Sequence, residues 1–164
     1  MRSPRLAGIL WTLLASASAC ASSPPEDDST QPRTGVVSVD HVGLAVSDVQ
    51  ASRALFIRAL DFDELQALPD GAGYVLTNGA VFLSLWAVEH DANAFDHHRN
   101  VGLHHLALGV ADATTLQAFY ERLQVYPGVQ IEDEPGPWQG GPSRNMMFRE
   151  PSGNRIELIH RVGP

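Results

Sequence analysis

The sequence predicts an α+β fold built from two tandem β-α-β-β-β modules, and three observations predict it. First, one stretch recurs: Val37-Ser-Val-Asp-His-Val-Gly-Leu-Ala-Val-Ser-Asp48 returns in degenerate form as Leu103-His-His-Leu-Ala-Leu-Gly-Val-Ala-Asp112. With His41 set on His105, an offset of 64 residues, every apolar position keeps its character. Second, each copy alternates with the period of a strand and then runs into a stretch with helical spacing. Third, short apolar runs follow each helix, punctuated by turn residues such as Asn78-Gly79 and Glu150-Pro-Ser-Gly153.

In the first module (36–88), Val37 to Val46 is a strand with Val42, Leu44 and Val46 on a bulky face and His41, Gly43 and Ala45 on a shallow one. Ser47 or Asp48 caps a helix from Val49 to Leu60, whose buried side carries Ala51, Ser52, Leu55, Phe56, Ala59 and Leu60. Strands follow at Asp63 to Leu68, Tyr74 to Thr77 and Val81 to Val88. The polar segment 89–102 reads as a linker with His90, His97 and His98 solvated, the alternative being that one of them reaches the rim as a proton carrier. In the second module (103–164), Leu106, Leu108 and Val110 form the bulky face, and His105, Ala107 and Gly109 the shallow one. Alternation turns His104 toward the helix side with Leu106. Asp112 caps a helix with Leu116, Phe119, Tyr120 and Leu123 at i, i+3, i+4 and i+7. Strands at Val129 to Glu132, Arg144 to Arg149 and Asn154 to His160 complete the module. Glu134 to Ser143 between them is too rich in proline and glycine to be regular. Setting Gly153 on Gly79 gives an offset of 74, so a ten-residue insertion belongs in that loop, at the rim of a sheet, where a ligand site is commonly covered.

The remaining 35 residues precede the fold. Arg2 and Arg5, the apolar run Leu6 to Leu14 and the small residues Ala15 to Ala19 read as an export signal over 1–20. Cys20, the chain's one cysteine, directly follows Ala17-Ser-Ala19, which resembles the bacterial lipoprotein processing motif, with Cys20 lipidated as the membrane anchor. The same small residues also suit ordinary signal cleavage, which releases a soluble secreted or periplasmic protein. Residues 21–35 form a flexible tether. A net charge of −8 without a single lysine excludes a nucleic-acid surface, which needs clustered cations; a small-molecule partner fits.

Asp40-His-Val-Gly-Leu-Ala-Val46, Phe56, Leu60-Asp-Phe62, His105-Leu-Ala-Leu-Gly-Val110 and Glu150-Pro-Ser-Gly-Asn-Arg-Ile-Glu-Leu-Ile159 together resemble the vicinal oxygen chelate superfamily. That superfamily includes glyoxalase I, bleomycin-resistance proteins and extradiol dioxygenases. The resemblance implies paired modules whose mixed sheets curl into a cup with helices outside, and metal ligands at up to four equivalent strand positions. In this sequence those positions fall on His41, Leu83, His105 and Glu157, with Leu83 placed by the offset of 74. The residues themselves agree for three of them: both histidines sit on shallow faces, and Glu157 alternates with the apolar Ile156 and Leu158.

Two imidazoles and a carboxylate suit a divalent metal with open coordination sites. Export disfavours Fe(II), so zinc or manganese is expected, with iron or nickel as alternatives. Arg144 and Arg149 are candidates for an anionic substrate group, and Trp138 and Met147 for the pocket lining. The expected function is an exported, metal-dependent lyase, isomerase or hydrolase acting on a small oxygen-rich molecule. A non-catalytic binding protein of the bleomycin-resistance type is one alternative and an extradiol dioxygenase another. The dioxygenases' tyrosine position holds Met147 here, and Trp138 to Gly140 lacks their histidine. Pairing of the modules within one chain or across a homodimer stays open.

Overall fold

A computed structural model describes residues 35–36, 38–89 and 91–163. The export signal, Cys20, the tether up to residue 34 and His90 lie outside the described residues. The first module comprises β1 (Val42–Val46), α1 (Val49–Ala59), β2 (Asp63–Ala67), β3 (Gly73–Thr77) and β4 (Phe82–Ala87). The second comprises β5 (Leu106–Gly109), α2 (Ala113–Leu123), β6 (Gln130–Pro137), β7 (Arg144–Arg149) and β8 (Arg155–His160). Each module forms a curled, four-stranded mixed sheet, ordered β1-β4-β3-β2 in the first and β5-β8-β7-β6 in the second. The helix carries the chain to the far edge, and two hairpins bring it back, so only β1 with β4 and β5 with β8 are parallel.

Each helix starts where an aspartate can cap it. The Asp48 carboxylate accepts from the Ala51 amide at 2.9 Å and the Asp112 carboxylate from Thr115 at 2.7 Å. On α1 the buried stripe is Ser52, Leu55, Phe56 and Ala59; on α2 it is Leu116 and Leu123. These meet Leu44, Val46, Leu76, Leu83 and Leu85 from one sheet and Leu106, Leu108, Met146, Phe148, Ile156 and Leu158 from the other, in one continuous core. At about 1.5 to 3 kcal/mol per buried large side chain, this shared interior drives folding and joins the modules.

Polar clasps fix how the modules meet. The turn after β7 belongs to the second module, yet its Glu150 is buried and accepts from the Ser52 hydroxyl of α1 at 2.5 Å. The other Glu150 oxygen accepts from the Asn154 backbone amide at 3.0 Å and side-chain amide at 2.9 Å. Ser152 Oγ accepts from the Ser47 and Asp48 amides, and Asn154 donates to the Ala45 carbonyl. The Glu150-Pro-Ser-Gly-Asn154 motif is therefore an intermodule joint. On the helix side, Arg122 of α2 makes a two-pronged ion pair with Asp61, which follows α1.

Several expectations change. β1 begins at Val42 rather than Val37, because its partner starts pairing only at Leu83. β6 runs on to Pro137 through the segment expected to be irregular. Its prolines are tolerated because β6 is an edge strand, and two register shifts absorb the misfit. The hairpin between β7 and β8 leaves five residues between its last rungs, Arg149 and Arg155, whereas Thr77 and Phe82 in the first module enclose four. Superposing the turn glycines therefore slips β8 against β4 by one residue.

Candidate metal and ligand site

The slip changes the fourth equivalent position. Glu157 stands opposite Ala107, and the repeat-equivalent Gly43 stands opposite Ser84, not Leu83. Leu83 is fully buried in the core, as the period-two alternation of β4 requires once Ser84 faces the other way. The four strand positions are thus His41, Ser84, His105 and Glu157.

In the second module, ladder partners place Ala107, Glu157 and Met147 in one row across the sheet, with Gly109, Ile159 and Asn145 in the next. The glycine and alanine leave β5 open beside the acid. Glu157 is 6% exposed, and its two oxygens are differently committed. Asn145 Nδ2 donates to Oε1 at 2.6 Å, while Oε2 lies 3.3 Å from His105 Nε2. The two candidate ligands of this module are therefore together, with the carboxylate oriented from behind. Met147, the ladder partner of Glu157, shares their face.

His104 departs from its expected side. It precedes the first paired residue of β5, so strand alternation does not constrain it, and its Nδ1 lies 2.9 Å from His105 Nδ1. His97 is half-buried rather than solvated: its ring packs edge-on against His104, and its Nδ1 is 3.1 Å from Arg149 Nη2. Partial desolvation, then the positive charge of Arg155, lowers the pKa of both His97 and His104. Arg149 and Arg155 share the Glu132 carboxylate, each at 2.6 Å. Burial acts to raise the Glu132 pKa, but the hydrogen bonds and charge of Arg155 and then Arg149 outweigh it, and the carboxyl titrates below its ordinary range. Arg149, expected as an anion receptor, is spent on this bridge and on the Gly153 carbonyl.

The first module carries the other half. His41 precedes β1, is exposed, and holds Asp40 at 2.7 Å through Nδ1. It borders a concavity lined by Asp40, Val75, Phe82, Ser84 and Trp86. Among the described residues, no three His, Cys, Asp or Glu side chains converge where one chain alone could hold a metal ion. His105 and Glu157 are paired, and His41 stands apart from them. Trp138 lines a separate cleft, with Arg161 stacked 4.2 Å over its ring, and Arg144 bonds the Pro135 carbonyl.

The family model for the Glyoxalase/Bleomycin resistance protein/Dioxygenase superfamily matches residues 38–158, covering both modules. The chain belongs to this superfamily. Solved superfamily structures share the fold at low identity. A glyoxalase/bleomycin resistance protein/dioxygenase domain from Frankia sp. EAN1pec is 23% identical with a TM-score of 0.66, the alignment covering 78% of this chain and all of that one. A lactoylglutathione lyase from Agrobacterium tumefaciens is 19% identical (TM-score 0.59; 79% and 96% covered). A fosfomycin resistance protein from Mesorhizobium loti is 18% identical (TM-score 0.59; 78% and 95% covered). No curated protein matches the sequence.

As a superfamily member, the chain offers a donor set that fits part of a divalent-metal site. The paired imidazole and oriented carboxylate are two borderline-hard ligands, and His41 is of the right type for a third. Sequence reasoning missed Ser84 and Asn145. Alignment on the buried residues of β4 and β8, instead of on the turn glycines, finds the first. The second is legible as an amide two residues before Met147 on the same strand face.

Proposed function

We propose that the protein is a divalent-metal-dependent member of the superfamily that binds a small oxygen-rich molecule through two of its oxygens. In this reading His105 and Glu157 of one chain and His41 of a second copy supply the metal ligands. The observation that carries it is the His105 and Glu157 pair on an open sheet face, with Asn145 occupying the carboxylate oxygen turned away from the imidazole. Separation of His41 from that pair within one chain favours a site completed by a homodimer.

Zinc or manganese suits the two-imidazole, one-carboxylate set, and when bound it supplies Lewis-acid polarisation of a ligand oxygen or acidification of a coordinated water. The chain's own residues position: Asn145 fixes the rotation of Glu157, and Met147 closes the floor beside it. Ser84 adds no fourth acid, and its hydroxyl already accepts from Trp86 Nε1 at 3.0 Å, so the reading favours a three-ligand site. We include in the proposal the export signal and the anchor at Cys20, for which an unmodified Cys20 in mass spectra of the mature N-terminus is the contrary result.

Elemental analysis and calorimetric titration with zinc and manganese test the metal reading. About one metal per chain is expected, with affinity falling 10- to 100-fold or more in His105→Ala and Glu157→Gln. Metal-free protein that takes up neither ion contradicts it and leaves the non-catalytic binding alternative.

A further inference from the structure

The first module contributes one metal ligand, and the rest of its open face has a different chemistry. Trp86 is half exposed and Phe82 nearly so, although both lie on a regular strand, and both line the concavity beside His41. The exposure is structurally arranged. Trp86 pairs with Ala45 on one side and Gly73 on the other, so neither neighbouring strand offers a side chain large enough to cover the indole. Gly73 cannot be enlarged, because a Cβ there would meet the Leu85 carbonyl oxygen at 1.9 Å. The one polar atom of the indole is satisfied internally by Ser84 Oγ, and a Cβ on Gly43 would crowd that hydroxyl, at 3.3 Å. What faces the concavity is therefore a mainly apolar surface bordered by Val75 and Phe82, with the Asp40 and His41 pair as its charged and polar lining.

The concavity measures about 340 Å³, the size of a small-molecule pocket rather than of a protein-docking groove. Exposed aromatic faces of this kind gain by stacking against a flat apolar group. We infer that Trp86, with Phe82 and Val75, forms a subsite for an aromatic or other flat apolar group of the ligand whose oxygens reach the metal site at His41. The ligand class is then an oxygen chelator carrying an apolar group, not a wholly polar sugar-like or phosphate-like molecule. This inference rests on the proposed function for the chelating end, and on Trp86 alone for the apolar end.

The test is calorimetric titration of the zinc-loaded protein with acetohydroxamate, a bidentate oxygen chelator without a ring, and with benzohydroxamate, the same chelator bearing one. Benzohydroxamate is expected to bind about tenfold more tightly. Trp86→Ala is expected to remove most of that preference while leaving acetohydroxamate unchanged, and indole fluorescence is expected to be quenched by benzohydroxamate alone. Equal affinities, or a preference that survives Trp86→Ala, overturn the subsite and leave the metal reading standing. Benzohydroxamate binding that depends on Trp86 while acetohydroxamate fails to bind supports the apolar subsite and overturns chelation by the ligand's oxygens. Failure of both probes on zinc-loaded protein overturns the subsite, whereas protein that takes up no zinc defeats the metal reading. A Trp86→Ala protein that sediments as monomer where the parent is a dimer also overturns the subsite, because the indole then serves as a subunit contact.

Discussion

Ser84 and Leu83 are neighbours with opposite fates, which makes them the sharpest residue-scale check on the site. Leu83 is sealed in the core, so Leu83→Glu buries a charge without a partner and is expected to cost about 4 kcal/mol or more, seen as loss of cooperative unfolding or of soluble protein. Ser84 lines the concavity but is itself 5% exposed and bonded to the Trp86 indole, so Ser84→Glu is expected to lower the melting temperature by less than Leu83→Glu, and to tighten metal binding by adding a carboxylate beside His41. The reverse ranking in a melting series contradicts the strand register. At this scale the sequence was partly legible. His105 and Glu157 are found together as the repeat and the alternation of the last strand indicate. His97 and His104 were misread because side chains outside a paired strand are placed by tertiary contacts, here with Arg149 and Arg155, and period-two reasoning has no hold on them.

Between elements, the Glu150-Pro-Ser-Gly-Asn154 turn is the joint that holds one module to the other. Glu150→Ala takes the carboxylate partner from Ser52 and Asn154, leaving them the Ser152 hydroxyl and the Ala45 carbonyl, and is expected to lower stability by about 1 to 2 kcal/mol in chemical denaturation. Ser52→Ala is expected to cost less, because Asn154 continues to satisfy one carboxylate oxygen. A loss under about 0.5 kcal/mol for Glu150→Ala contradicts the joint. The strands, both helices and their aspartate caps were legible because apolar periodicity and capping chemistry are local. The extension of β6 through Pro135 and Pro137 was not. Composition indicates that proline weakens a strand, but only the strand order reveals that β6 is an edge, where a missing amide costs little.

For the molecule as a whole, packing of the two modules responds to pH through the Arg122 and Asp61 pair. The hydrogen bond and charge of Arg122 lower the Asp61 pKa below its ordinary 3.8. The unfolded chain therefore binds this proton first as the solution is acidified, so the contribution is fully present above the ordinary value and is lost as pH falls through the lowered one. Asp61→Asn is expected to melt below the parent at neutral pH, with the gap closing by about pH 2; a gap constant across that range contradicts the pair's role. The duplicated architecture was legible from one sequence because the repeat preserves its apolar register. How the two halves of the site assemble was not, because the within-chain separation of His41 from His105 and Glu157 depends on how the modules dock.

Subunit complementation tests the central claim, a metal site shared between copies, most directly. His41→Ala and His105→Ala chains, each defective in metal binding, are mixed, exchanged and titrated with zinc. If sites form between chains, a mixed dimer has one intact site and one doubly defective site, so tight binding is expected to return at about half a metal per chain in the heterodimer. If every site forms within a single chain, mixing restores nothing, and the shared site is contradicted.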